Sequence, residues 1–366
     1  MALDCESNKI IQDEDGYLTL QHYKECTNED SADIKATRGI IKDVEGNVVC
    51  QSFGYTHEYS PEDTEWKDKV RESIQNCKVF LSEEGTLLRM FCYNHRWYLS
   101  THKRIDSFSS RWSSTLSFGE MFLQALEHYF LVGDGKGKIE VEDKKDLYDR
   151  FCATLDPGNV YTFLVRTTEE TRIVCHPPAV PTIYFAGFFF HGMRMEGNPT
   201  LLPYPTILPF TSVDDLTHYV LSLDPMRYQG VIVFTTEQDV FKVVHPMYSN
   251  YAKIRGSEPS IQRAYLRIRE SNEILQQFLV MFPEKKELIK DIEEKILVLA
   301  QKLHQSYSKR FIRKEYIVVN KHYFYMMRLA HVWHIQNRST NVVSVQTFLT
   351  LLDKQQPNFL HVLLSQ

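Results

Sequence analysis

The apolar residues of this chain change period once, at Ser257-Glu258-Pro259, and that single change constrains the fold more than any other feature. Upstream, apolar and polar residues alternate in twos over short runs: Arg38-Gly39-Ile40-Ile41, Asn47 to Cys50, Val79-Phe80-Leu81, Thr86 to Tyr93, Arg96 to Ser100, Val160 to Arg166, Thr171 to Cys175, Gly230 to Phe234 and Val240 to Val244. Runs of period two bounded by Gly, Asn and Asp predict antiparallel strands. Between them, Ser117 to Phe130 puts Phe118, Met121, Phe122, Leu126 and Tyr129 at helical spacing, and Val213 to Leu221 does so more briefly. The expected class is α+β, with sheets packed beside a few helices.

Downstream the spacing is helical. Ile261 to Phe282 forms one stretch, and a restart at Pro283 places Leu288, Ile292, Ile296, Leu299 and Leu303 on one face. Proline suits a first helical turn, where its missing N–H has no partner to lose. Val342 to Leu364 carries a further apolar helical run. The chain therefore reads as two domains, residues 1–256 and an all-helical 257–366.

Charge divides at the same place. The net charge of −5 splits into −11 over residues 1–256 and +6 over 257–366, so the two halves have different surfaces and are expected to meet different partners. No run of 18 apolar residues is present, and Met1 to Ile10 carries Asp4 and Glu6 where a secretory signal would be basic and then apolar, which predicts a cytoplasmic protein with no membrane span. Seven cysteines, Cys5, Cys26, Cys50, Cys77, Cys92, Cys152 and Cys175, include no C-x-x-C pair and read as free thiols. Gly133-Asp134-Gly135-Lys136-Gly137-Lys138 lacks phosphate-loop spacing and reads as a mobile connector.

Arg38-Gly39-Ile40-Ile41, Gly46-Asn47-Val48-Val49, Leu81 to Leu88, Trp97 to Thr101, Tyr161-Thr162-Phe163 with Arg172-Ile173-Val174, Tyr228 to Val233, and Phe241 to Val244 with Tyr248 form an ordered series over about residues 33–256. In that order and spacing the series resembles the ATP-dependent RNA ligases of the bacteriophage tRNA-repair type, within the covalent nucleotidyltransferase superfamily. The resemblance implies a nucleotidyltransferase domain, a lysine that attacks the α-phosphate of ATP from a K-x-[DE]-G turn, two glutamates holding Mg²⁺, and a K-x-K strand on the α-phosphate. Members of this pattern in large cytoplasmic DNA viruses make a viral origin, in host cytoplasm or virion, the matching expectation.

This sequence departs from the pattern at most of its charged positions. Ser82-Glu83-Glu84-Gly85 puts Ser82 where the lysine belongs, and Lys78 is four residues too early. Val165 stands at the first glutamate position, with Glu169 or Glu170 as the alternative register, and Gln229 stands at the second. Lys242 remains from K-x-K while Val244 replaces its partner, and a further family lysine falls at Thr56 or His57. No catalytic residue is therefore expected, no cofactor, and no metal site; ATP and Mg²⁺ belong only to the alternative of an active enzyme with a displaced nucleophile. Arg38, Glu84, Gly85, Lys103, Arg172, Gly230 and Lys242 form the expected remnant of a nucleotide pocket. In the plainer reading Arg38, Glu84 and Lys242 pair with one another, while tight turns explain Gly85 and Gly230.

In the helical half, Lys302 to Arg328 holds seven Lys or Arg against Glu315, interleaved with Tyr307, Phe311, Tyr316, Tyr323, Phe324 and Tyr325. Cations for phosphates and rings for bases predict an RNA or DNA surface through Lys309, Arg310, Arg313 and Lys314, against the alternative of a solvated face with rings turned inward. His331 and His334, three apart, lack a placed carboxylate or cysteine and read as structural. The expectation is an inactive ligase-like protein binding nucleic acid or protein partners, with an active ligase or a non-reacting nucleotide-binding subunit as the competing readings.

Overall fold

A computed structural model describes residues 10–139, 146–169, 172–237 and 239–366. It divides into two compact units, one reaching Asn250 and one starting at Tyr251. The first is α+β and its strands are antiparallel with one exception; the second is helical throughout.

Among the described residues, three sheets build the first unit. β1 (Ile10–Asp15), β2 (Leu18–Tyr23), β3 (Ile40–Asp43) and β4 (Val48–Cys50) form a four-stranded meander in that order. β5 (His57–Tyr59) and β6 (Lys78–Ser82) belong to a second sheet with β12 (Ile207–Leu208), β13 (Gly230–Phe234) and β14 (Val240–Val244), ordered β12-β6-β13-β14-β5. β5 runs parallel to β14, the exception to the antiparallel pattern. The third sheet, β11-β10-β9-β7-β8, comprises β7 (Thr86–Tyr93), β8 (Arg96–Ser100), β9 (Val160–Arg166), β10 (Thr182–Phe190) and β11 (Met193–Met195).

Helices cover one face of each five-stranded sheet. α1 (Ala32–Ala36) is a short connector. α2 (Thr64–Val70) and α5 (Val213–Ser222) supply Trp66, Val70, Leu216 and Val220 to a core with Val79, Val231, Val233, Phe241 and Val243. α3 (Phe118–Glu127) and α4 (Leu147–Ala153) supply Phe122, Leu126 and Phe151 to a core with Leu88, Tyr161, Phe163 and Phe185. Strand alternation then sends the intervening residues the other way: Phe80, Ser82, Ile232 and Phe234 from one sheet, and Leu87, Leu164 and Ala186 from the other, line a common cavity. α3 starts where its sequence directs, since Ser117 and Glu120 close a reciprocal capping box.

Several local expectations change. The residues described after Thr171, 172–175, form no strand, and the amides of Ile173, Val174 and Cys175 are taken by a side chain described below. Gly133 to Lys138 winds back on Tyr129: Gly135 N donates to Tyr129 O at 3.0 Å, and Lys138 Nζ donates to Tyr129 Oη at 2.9 Å. Gly85 and Gly230 are set by close approach rather than by tight turns. A Cβ on Gly230, at φ +147°, would lie 2.1 Å from Val243 O, and one on Gly85 would lie 2.7 Å from Val165 O.

The second unit packs around a long helix. α6 (Pro246–Arg255) carries the boundary, followed by α7 (Ile261–Ile268), α8 (Asn272–Met281), α9 (Lys286–Tyr307), α10 (Lys321–Gln336), α11 (Val345–Asp353) and α12 (Pro357–Leu364). α9 buries Ile289, Ile292, Ile296, Leu299 and Leu303, so Ile289 takes the inward place expected of Leu288, which is 39% exposed. Arg269 joins α9 to α11, with Nε 2.9 Å from Glu293 Oε1 and Nη1 2.5 Å from Asp353 Oδ1. Among the described residues no helix is long and apolar enough to cross a membrane.

Candidate functional site

Strand register brings Ser82, Gln229 and Lys242 into one place. Gly230 faces Ser82 on β6 and Val244 on β14. Gln229 lies just before β13, held by its N–H on Ser82 O (2.9 Å) and by His245 N–H on its own carbonyl (2.8 Å). Its side-chain Oε1 then accepts from Ser82 Oγ at 3.1 Å and from Lys242 Nζ at 3.2 Å. Lys242 Nζ also donates to Glu58 Oε1 at 3.1 Å, because β5 places Glu58 opposite Lys242.

Ser82, Gln229 and Lys242 end a cavity of about 130 Å³, lined also by Arg38, Thr56, Gly85, Phe80, Phe234 and Tyr204. Small-molecule sites usually span roughly 300–1,000 Å³, so the cavity is smaller than a nucleotide site ordinarily is. Arg38 Nη1 donates to Gly54 O (2.6 Å) and Thr56 Oγ1 (3.0 Å), and burial pushes its pKa down against the opposing pull of Tyr23 and Glu58. Ser82 is 1% exposed and donates to a neutral amide oxygen, which cannot take up its proton. Neither Val165 nor Gln229 offers a carboxylate.

The other residues of the expected pocket lie elsewhere. Glu84 does not face the Ser82 cavity. Its Oε1 accepts from Ile173 N (2.6 Å), and its Oε2 accepts from Val174 N (2.9 Å), Cys175 N (3.0 Å) and Tyr248 Oη (3.2 Å). Burial, then the Glu84 carboxylate, pushes the Tyr248 phenol up. Glu84, Val165, Arg172 and Glu169 line a second cavity of about 210 Å³, which shares Gly85 with the first. Glu170 lies outside the described residues. Lys103 is exposed in the turn after β8 and lines neither cavity, and Val244 is buried at the end of β14. Lys78 sits at the far end of β6 and pairs with Glu196. Arg38, Glu84 and Lys242 thus take three separate sets of partners, correcting the expectation that they pair with one another.

Three residues of this region were not singled out by the sequence. Glu58 neutralises Lys242, yet its strand is only three residues long and carries no pattern. Arg166 pairs with Glu83 and donates from Nε to Glu84 O at 3.0 Å, bracing the turn after Ser82. Arg89 is fully buried in β7, donating to Gly39 O and, at 2.6 Å, to Thr101 O.

In the helical unit, Lys309 and Arg310 fall in a π-helical turn, Ser308–Ile312, with Arg313 and Lys314 following. Phe311 stacks on His331 at 4.3 Å, and Tyr307 Oη lies 3.1 Å from His331 Nδ1. His334 Nδ1 meets Asn341 O at 2.6 Å. No group of three or more His, Cys, Asp or Glu among the described residues is placed to hold a metal ion.

An immediate-early protein ICP-46 homolog of Invertebrate iridescent virus 6 is 27% identical over 285 residues, 73% of this chain and 61% of that protein. The chain is similar to viral ICP-46 proteins. The homolog of Invertebrate iridescent virus 3 is 26% identical over 295 residues, 78% of this chain and 62% of that one, so this chain spans about three fifths of the relatives' length. A protein of Autographa californica nuclear polyhedrosis virus, named as a bifunctional polynucleotide kinase/RNA ligase, is 24% identical over 232 residues, 61% of this chain and 30% of that protein. No family model matches. Matching solved structures include two forms of an archaeal ATP-dependent RNA ligase: one at 10% identity and TM-score 0.40, covering 80% of this chain and 78% of that, and one at 9% and 0.42, covering 73% and 65%.

Proposed function

We propose that this chain is a viral, ligase-like protein that does not transfer nucleotidyl groups and works as a binding module, for nucleic acid or for protein partners, in host cytoplasm or virion. The observation that carries this reading is the Ser82, Gln229 and Lys242 set. The hydroxyl standing at the nucleophile's position is hydrogen-bonded to an amide oxygen, and the remaining lysine is held by that same oxygen and by Glu58. Such a set has no activated nucleophile and no base for Ser82. The basic stretch of the helical unit supports the binding role, through Lys309, Arg313 and Lys314.

The test is label transfer from α-labelled ATP and GTP with Mg²⁺ or Mn²⁺, read on a denaturing gel. The unmodified chain is expected to give no labelled band, and Ser82→Lys alone should give none either. A lysine amine there stays mostly protonated near its free pKa of about 10.4 unless cations depress it. Its cationic neighbour Lys242 is already paired with Glu58, and Val244 supplies no second cation. Leaving-group charge also goes uncompensated without carboxylates to hold a metal. Restoration should need Ser82→Lys, Val244→Lys and Gln229→Glu together with a second carboxylate facing the same cavity, since Val165 lines the other one, in a cleft that admits ATP. A band from Ser82→Lys alone contradicts the reading. A band from the unmodified chain that vanishes in Lys242→Ala moves the assignment to an active nucleotidyltransferase using the lysine already in the cavity.

A further inference from the structure

Between the Ser308–Ile312 turn and α10, residues 313–320 run as a strap without regular structure. Its ends are fixed. Glu315 N donates to Lys309 O at 2.9 Å, Arg310 Nη1 donates to Ile317 O at 3.2 Å, and the Asn320 side chain caps α10 on Tyr323 N at 2.8 Å. The Arg310 guanidinium also lies 4.9 Å above the Phe324 ring, so Arg310 is spent as a tether. Lys314 adopts a left-handed backbone, φ +58°, which redirects the chain there.

On this anchored strap Tyr316 is 91% exposed. Neighbouring rings are engaged: Tyr307 is 3% exposed, Phe311 stacks on His331, Phe324 lies under Arg310, and Tyr325 meets Phe359 edge-on at 5.6 Å. Arg313 and Lys314 are exposed and Lys309 is partly so. The one acid on the strap, Glu315, is 3.8 Å from Arg313, with both side chains at least 46% exposed, and such a pair neutralises little. A phenol ring held on a tethered segment among cations combines a stacking face with phosphate partners.

We propose that the strap is a stacking platform for single-stranded nucleic acid, with Tyr316 taking a base face and Lys309, Arg313 and Lys314 the flanking phosphates. The proposal rests on the nucleic-acid branch of the function proposed above and deepens it. An unpaired base offers the ring a free π-face, whereas a duplex keeps its faces stacked internally and an acidic peptide has none.

The test is fluorescence anisotropy of the full chain with short labelled oligo(U), oligo(dT), a duplex of the same length, and poly-glutamate. Tyr316→Ala is expected to weaken both single strands roughly 5- to 100-fold, to leave the duplex unchanged, and to leave the salt slope unchanged, since it removes no phosphate contact. Tyr316→Trp should bind at least as well as the unmodified chain, with its fluorescence quenched by the oligonucleotide. Lys309→Ala with Arg313→Ala and Lys314→Gly, the glycine keeping the left-handed turn, should weaken all nucleic acids and lower the single-strand salt slope by about 2. Tyr316 touches no core, so its variants keep the thermal midpoint and the comparison is free of folding loss. Single-strand binding untouched by Tyr316→Ala but lost in the triple variant overturns the stacking platform and leaves the nucleic-acid reading standing. No binding of any nucleic acid by the unmodified chain overturns both. Poly-glutamate binding as tight as oligo(U) also overturns the proposal, as does an equal loss for duplex and single strands.

Discussion

Arg89 shows how much one side chain can hold. With Arg255 it is among the largest fully buried side chains of the described residues, and its guanidinium spans from the carbonyl before β3 to the carbonyl after β8. Arg89→Ala leaves two buried acceptors unpaired and a large void, and should lower the unfolding free energy by about 3–5 kcal/mol. Arg89→Met keeps most of the volume and should cost less, about 1–3 kcal/mol; equal midpoints for the two variants in urea unfolding would show that the hydrogen bonds, not the packing, carry the effect. The resemblance brings Ser82, Gln229 and Lys242 together, and strand pairing explains it: Ser82 ends β6, Gln229 precedes β13 and Lys242 is the middle residue of β14. It did not reveal Arg89, a cation in an otherwise apolar strand, since nothing in the pattern distinguishes a buried arginine bonding carbonyls from one at an edge. For the same reason Glu84 was assigned to the wrong cavity: side-chain direction after a strand end depends on backbone amides donated from 90 residues away.

At the scale of elements, Glu84 replaces a strand. Three successive amides, of Ile173, Val174 and Cys175, donate to one carboxylate, so this segment is tied to the β6–β7 turn and not to a ladder. A carboxylate accepting several N–H groups is a strong, charge-assisted anchor. Glu84→Gln removes the charge and presents an N–H₂ where an acceptor is needed. Exchange protection at the three amides should fall by at least 10-fold, with β7 and β9 protection kept; unchanged protection would mean the segment is held by other contacts. Most strand boundaries were legible: Thr86–Tyr93, Arg96–Ser100, Val160–Arg166, Gly230–Phe234 and Val240–Val244 stand where alternation put them. Missing from that reading was β10, although Ile183, Phe185 and Phe189 are buried in alternation, because the aromatic run Phe188-Phe189-Phe190 blurs the period. In α9 a helical face defined by five apolar residues tolerated a one-residue error at its first turn, where Leu288 and Ile289 are adjacent and only packing decides between them.

Over the whole molecule the acid response follows from buried histidines among cations. His22 is 5% exposed; burial, then Lys103, Arg38 and Arg89, lowers its pKa to about 3. His102 is also held well below the usual range, by burial and then by Arg38, Arg89 and His22. In the unfolded chain both titrate near 6.5. A histidine depressed on folding is neutral in both states above that value, so it costs nothing at pH 7.5. Below it the unfolded chain takes up protons that the folded chain refuses, and stability falls as pH drops from about 6.5 toward the folded value. Two such groups should remove about 3 kcal/mol between pH 7.5 and 5.5, a large part of the roughly 5–15 kcal/mol that domains ordinarily have. Denaturant midpoints at pH 7.5, 6.5 and 5.5 measure this directly. The midpoint should fall with pH, and His22→Gln with His102→Gln should flatten the dependence even if the variant is less stable at pH 7.5. A midpoint already flat in the unmodified chain would mean that these rings reach solvent and protonate in the folded state, and that the cationic cluster around Arg38 and Arg89 is more open than its burial indicates.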